Sequence, residues 1–178
     1  MLYDLAIDEE LEQMESDAAL RAWNAHEIQL PLRSLMRPVV TIDISNSTQT
    51  AIELLIEHHV GAAPVVDDKN RLRGIFSERD VLRKILNRTV GNLDALGIER
   101  FMSATPQTAQ PEDTLDTAIL YMAQGGYRHL PIVNEQNEPI GMVSIRDVIS
   151  YLVEAFPQEV LTLPPRPIRD AMKAREGA

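Results

Sequence analysis

Gly74-Ile75-Phe76-Ser77-Glu78-Arg79-Asp80-Val81 returns as Gly141-Met142-Val143-Ser144-Ile145-Arg146-Asp147-Val148, displaced by the same 67 residues that separate Pro64 from Pro131. Outward from these octapeptides the correspondence continues without gaps. Ala63-Pro64-Val65-Val66 falls on Leu130-Pro131-Ile132-Val133 and Thr50-Ala51-Ile52 on Thr117-Ala118-Ile119, so that 47–86 recurs as 114–153. Repeats of about 20–50 residues usually stack as solenoids of three or more units. Two longer copies suggest a closed pair instead, each supplying half of one core across a pseudo-two-fold axis.

Each copy reads as a mixed α/β (α+β) unit of the order β-α-β-β-α. The β-branched run at 39–42 is expected to form the first strand. Ser47 and Thr114 stand at helix N-caps, ahead of the apolar stripes Ile52, Leu55, Ile56 and Leu115, Ala118, Ile119, Met122. Gly61 and Gly125-Gly126 are expected to end those helices. The Pro64 and Pro131 strands then lead through the polar turns Asp67-Asp68-Lys69-Asn70 and Asn134-Glu135-Gln136-Asn137 into a second strand. The closing helices carry Val81, Leu82, Ile85, Leu86 and Val148, Ile149, Leu152, Val153, an apolar face wider than one surface stripe needs. That surplus points to a second subunit.

The chain divides into an acidic N-terminal helical extension (1–30), a first repeat (31–90), a linker (91–97), a second repeat (98–155) and a proline-rich tail (156–178). The extension reads as one amphipathic helix over about 8–27, either packing on its own domain or docking a partner. The tail has room for a short last helix.

Gly-x-x-Ser-x-x-Asp, twice at a strand's exit into a helix, carries the chemistry. Ser77 with Asp80, and Ser144 with Asp147, fit an N-terminal cap, hydroxyl on a backbone N–H and carboxylate near the positive end of the helix dipole. The same helix N-terminus is also an anion site, and a carboxylate suits the vicinal diol of a ribose. Gly74 and Gly141 remove a side chain where a ligand would approach the backbone. Cap and ligand site are both open readings.

The two copies, each running helix, h-h-Pro-h-h strand, polar turn, Gly-h-h-Ser-x-x-Asp and helix, resemble the tandem cystathionine-β-synthase-type domain, the CBS pair or Bateman module, over roughly residues 32–154. The resemblance implies a regulatory module that binds an adenosine-containing ligand (AMP, ADP, ATP, S-adenosylmethionine or a dinucleotide) in clefts between the copies, usually as a homodimer. It assigns the ribose hydroxyls to Asp80 and Asp147 and the ribose or phosphate to Ser77 and Ser144. Three residues before the strand proline, the family's phosphate-facing basic position holds Arg128 in the second copy and Gly61 in the first. An arginine there suits phosphate through paired hydrogen bonds, and it also reads as a plain surface residue. Adenine is expected near Val40, Thr41 and Thr105, across a one-residue slip of the entry segments between Met36 and Met102. Arg79, Arg146 and His129 complete the candidate ligand-binding set, with solvated or rim positions as their plainer reading. No catalytic residue is assigned, and no cofactor is required beyond the regulatory nucleotide, with Mg²⁺ only if ATP is bound.

Composition narrows the alternatives. Hydrophobic residues make up 44% of the 178 and aromatics 4%, so the core is expected to be aliphatic and a stacking platform for single strands is disfavoured. Seventeen Lys and Arg against 27 Asp and Glu give a net charge of −10, which repels nucleic acid and anionic membranes at long range. A small anion held by converging arginines is still admissible. With no cysteine, no export signal and no apolar run near the ~18 residues of a membrane span, the chain is expected to be cytoplasmic. A catalytic barrel needs ~250 residues, and none of the four histidines His26, His58, His59 and His129 lies in a motif that places a base beside either serine. His58-His59, adjacent on a helix, diverge by ~100° and make a poor chelate. The leading expectation is a non-enzymatic adenine-nucleotide sensor with an unidentified protein partner. Its rival is a dimerisation or partner-recruiting module in which both motifs only cap helices.

Overall fold

The computed structural model describes residues 29–86 and 91–156. The expected N-terminal helix and the proline-rich tail lie outside them.

In the first copy, β1 (Ile42–Asp43) runs parallel to β2 (Ala62–Val66), with α1 (Thr48–Glu57) between them in sequence. β2 pairs antiparallel with β3 (Leu72–Ser77), which feeds α2, one α turn at Glu78–Asp80 continued with π winding over Val81–Leu86. A short strand β4 (Ser103–Ala104) adds antiparallel to β3, giving the order β1-β2-β3-β4. The second copy holds α3 (Leu115–Gly125), the antiparallel hairpin β5 (His129–Val133) and β6 (Pro139–Ser144), and α4 (Ile145–Ala155). Its counterpart of β1 is the single parallel bridge Ala109↔Ile132, the same 67 residues on from Ile42↔Val65.

The hairpin turns repeat in atomic detail. Asp67 Oδ1 accepts from the amides of Lys69 and Arg71, and Asn134 Oδ1 from those of Gln136 and Glu138. Asn70 and Asn137 follow in the left-handed region at φ 57° and 63°, which asparagine tolerates better than most residues.

The copies exchange their entry segments. Pro31 bridges Thr114 and Gly97 bridges Ser47; Arg37 pairs with Met142 as Ser103 and Ala104 pair with Ile75 and Gly74. Leu32 is consequently buried among Leu115, Ala118, Leu130, Ile132, Val143 and Val148 of the second copy. Ile98 and Phe101 complete the first core, among Ile42, Ala51, Leu55, Val65, Phe76 and Ile85. Burying one large aliphatic side chain stabilises by about 1.5–3 kcal/mol, so each half is held partly by residues that precede the other. The core is aliphatic apart from its phenylalanines, and Phe76 is its largest fully buried side chain.

Several local expectations are corrected. The first strand is confined to Ile42–Asp43; 39–41 are irregular, and Val39 and Val40 line a cleft between the copies. α1 ends without glycine: His59 takes the left-handed turn at φ 52° and Gly61 follows it, whereas Gly126 at φ 64° caps α3 as expected. Ser47 accepts from the Thr50 amide, but Thr114 makes no such cap; its hydroxyl turns to the Asp116 carboxylate. The space over Gly74 and Gly141 is taken by the chain itself: a Cβ on Gly74 would lie 2.6 Å from Met102 Sδ, and one on Gly141 3.0 Å from Met36 Sδ.

Candidate functional site

Both motifs form full capping boxes at the strand-to-helix junctions. Ser77 donates its amide and hydroxyl to Asp80 Oδ2 at 3.0 and 2.6 Å, and Ser144 donates the same pair to Asp147 Oδ2 at 2.9 and 2.5 Å. The aspartate amides return bonds of 3.4 and 3.3 Å to the serine oxygens. One carboxylate oxygen is thereby committed to the cap and the other, Oδ1, is left for a second partner.

That second partner differs between the copies. Asp80 Oδ1 receives Lys84 Nζ at 2.7 Å and Ser103 Oγ at 3.2 Å, and Lys84 Nζ also reaches the carbonyls of Phe101 and Met102 at 2.8 and 3.1 Å. Asp147 Oδ1 receives Arg37 Nε. Burial opposes ionisation of Asp147, but the two bonds from Ser144 and the Arg37 guanidinium outweigh it and hold the carboxyl below its ordinary range.

Around Asp147 lies a cleft of about 460 Å³ built from both copies. The first copy lends Arg37, Val39, Val40, His59, Gly61 and Glu78; the second lends Arg128, His129, Met142, Ser144, Arg146 and Asp147. The side chains of Arg128 and Arg146 make no hydrogen bond or ion pair with the described residues. The His129 imidazole is held below its ordinary value first by burial, then by repulsion from Arg128 and Arg146, with Glu78 and Asp147 acting against them. The arrangement suits an anion near the arginines and the N-terminus of α4, and hydroxyls near Asp147.

Of the expected site residues, Ser144, Asp147, Arg128, Arg146, His129 and Val40 share this cleft. Ser77 and Asp80 lie apart from it in the Lys84 cluster. Arg79 is also elsewhere, donating to the Gly126 carbonyl at 2.8 Å and so closing the C-terminus of α3. Thr41 does not line the cleft, and Thr105 sits past β4 at φ 46° with its amide 3.4 Å from the Arg73 carbonyl. Sequence reasoning missed Arg37, Glu78 and Lys84. The spacing Asp80-Lys84, one turn apart on a helix, was a readable signal for the last. The described residues hold no group of three or more metal-binding side chains and no helix long and apolar enough to cross a membrane.

Known proteins agree with this architecture. A protein of 17.7 kDa from Acidianus ambivalens is 30% identical over 120 residues, 67% of this chain and 67% of its own. Across further curated relatives the match spans from 21% to 76% of their length. The CBS domain pair of protein MJ0100, solved with 5′-methylthioadenosine and S-adenosyl-L-methionine, is 25% identical with a TM-score of 0.62, over 70% of this chain and 96% of that one. The structure of CBSX2 in complex with AMP has the same fold at 22% identity, TM-score 0.63, over 71% and 98%. The CBS domain model matches twice, at 32–87 and 98–154, and the chain belongs to the CBS domain family as a tandem pair.

Proposed function

We propose that this chain is a non-catalytic regulatory module that binds an adenosine-containing ligand, AMP, ADP or ATP, in the cleft around Asp147. The observation that carries this reading is the convergence on one cleft between the copies of the Asp147 carboxylate, the Ser144 cap and Arg128 and Arg146, whose side chains are paired with none of the described residues. It is supported by the adenosine moiety common to the ligands of the MJ0100 pair and CBSX2. Mg²⁺ accompanies the ligand only where ATP is bound.

A ligand that binds the folded chain and not the unfolded one raises the melting temperature as its concentration passes Kd. Titration with AMP, ADP, ATP, S-adenosylmethionine and NAD is expected to raise it for at least one. No shift for any at millimolar concentration would sink the proposal.

One observation favours a second role. Ile56, Leu82 and Leu86 in the first copy are 67%, 58% and 68% exposed, with Ile149 and Val153 at 54% and 47% in the second. An apolar face of this breadth fits a homodimer. If both motifs only cap helices, dimerisation or recruitment of a protein partner would be the whole function, and loss of Asp147 would remove no ligand response.

A further inference from the structure

Arg37 lies in the exchanged entry segment and reaches the motif of the opposite copy. Its backbone is fixed by paired bonds of 3.0 Å with Met142, while its side chain is 72% exposed and, among the described residues, anchored only by Asp147 Oδ1. The matching residue of the other entry segment, Ser103, reaches Asp80 Oδ1 in the same way. Position and target are therefore built into the pseudo-symmetry, and the arginine is particular to the Asp147 cleft.

A ribose diol that takes Asp147 must use Oδ1, because Oδ2 is committed to Ser144. That displaces the Arg37 guanidinium from its carboxylate. With its Cα held in place, the released head stays in a cleft where Arg128 and Arg146 already lie. Among the described residues, the carboxylates that line the cleft with these three cations are those of Glu78 and Asp147. A ligand phosphate would offer Arg37 a new partner, whereas a nucleoside would leave it with water and a sulfonium ligand would add a further positive charge.

Building on the nucleotide reading above, we propose that Arg37 is a displaceable latch that selects for phosphate: it guards Asp147 against adenosine lacking phosphate and exchanges that carboxylate for the phosphate of a nucleotide. The consequence is opposite changes in affinity from one substitution. Arg37→Ala spares adenosine the cost of breaking an exposed ion pair, so its affinity rises by up to about fivefold. AMP loses a charge-assisted contact, and its affinity falls by about tenfold or more.

Calorimetric titration of the full chain with adenosine and with AMP tests this. Arg37→Lys keeps the charge but loses the planar fork, and is expected to lie between wild type and Arg37→Ala for AMP. Arg33→Ala removes an equal charge from the same segment outside the cleft, and is expected to leave both affinities within about twofold. If Arg37→Ala weakens both ligands, strengthens both or changes neither, while wild type binds AMP, the latch is wrong and the nucleotide reading stands. If wild type binds neither compound, the latch falls, and the nucleotide reading falls with it when ADP and ATP fail to bind as well.

Discussion

Lys84 lies 2.7 Å from Asp80 Oδ1, at the helical spacing of one turn, and fills the place that a ligand hydroxyl would need in the first motif. Its ammonium is satisfied further by two backbone carbonyls and by Ser103 Oγ, so displacing it leaves four contacts unmade. The corresponding position in the second copy is Tyr151, and Asp147 is met instead by the exposed Arg37. The two motifs are thus expected to differ in use. Asp147→Ala should abolish nucleotide binding, while Asp80→Ala should leave affinity within a few-fold and lower stability by about 0.5–2 kcal/mol, the worth of a lost cap. Calorimetry and urea unfolding on both variants check this; equal losses of affinity would overturn the asymmetry.

Gly74 should be the less replaceable of the two motif glycines. An added methyl there meets Met102 Sδ at 2.6 Å and the Ser103 carbonyl at 3.0 Å, and only the first can move without shifting the backbone of β4. On Gly141 the nearest atom is Met36 Sδ at 3.0 Å. Overpacking of this kind costs about 1–3 kcal/mol. Gly74→Ala should therefore unfold at lower urea than Gly141→Ala, with part of the loss recovered when Met102→Ala is added. Equal midpoints for the two glycine variants would mean that the methionine contact does not decide the fit.

What could be read in advance follows the range of the interactions involved. The hairpins, the Ser144 and Ser77 caps and the helix bearing Val148 are set by neighbours a few residues apart, and the 67-residue repeat carried them twice. The exchange of entry segments was not legible. It depends on Leu32 and Ile98 entering each other's cores, contacts across more than 80 residues in the case of Leu32 with Leu115. The one-residue slip between Met36 and Met102 was visible, but not its meaning: the same residues cover the opposite copy's glycines and bring Arg37 and Ser103 to the opposite aspartates. Arg79 and Arg146 show the limit of motif transfer, since equal positions put one on a helix end and the other in the cleft.

The homodimer reading rests on the face formed by α1 and α2. Leu82 and Ile56 flank an apolar groove that also includes Ile52, Leu55, Val60 and Val81. Light scattering at micromolar concentration should give twice the chain's mass of 20.0 kDa. A carboxylate at Leu82, itself 58% exposed, would be desolvated in a dimer but not in a monomer. Leu82→Glu should then halve the measured mass while the chain stays folded by circular dichroism. A wild-type mass near that of one chain would remove this reading.

His129 gives the cleft a pH dependence with a defined sign. Burial, reinforced by Arg128 and Arg146 and opposed by Glu78 and Asp147, lowers its folded pKa below the ordinary 6.5. Below pH 6.5 the unfolded chain takes up a proton that the folded chain resists, so stability is full above 6.5 and falls as pH drops toward the folded pKa. Below that value there is no further loss from this group. A bound phosphate reverses part of the effect, because an anion beside the imidazole favours its charged form. Nucleotide should therefore stabilise the chain more at pH 6 than at pH 8, and an uncharged adenosine should not. His129→Gln should flatten both trends. The melting temperature measured across this range with AMP, with adenosine and with neither checks it, and a nucleotide-induced shift independent of pH in wild type would show that phosphate does not approach His129.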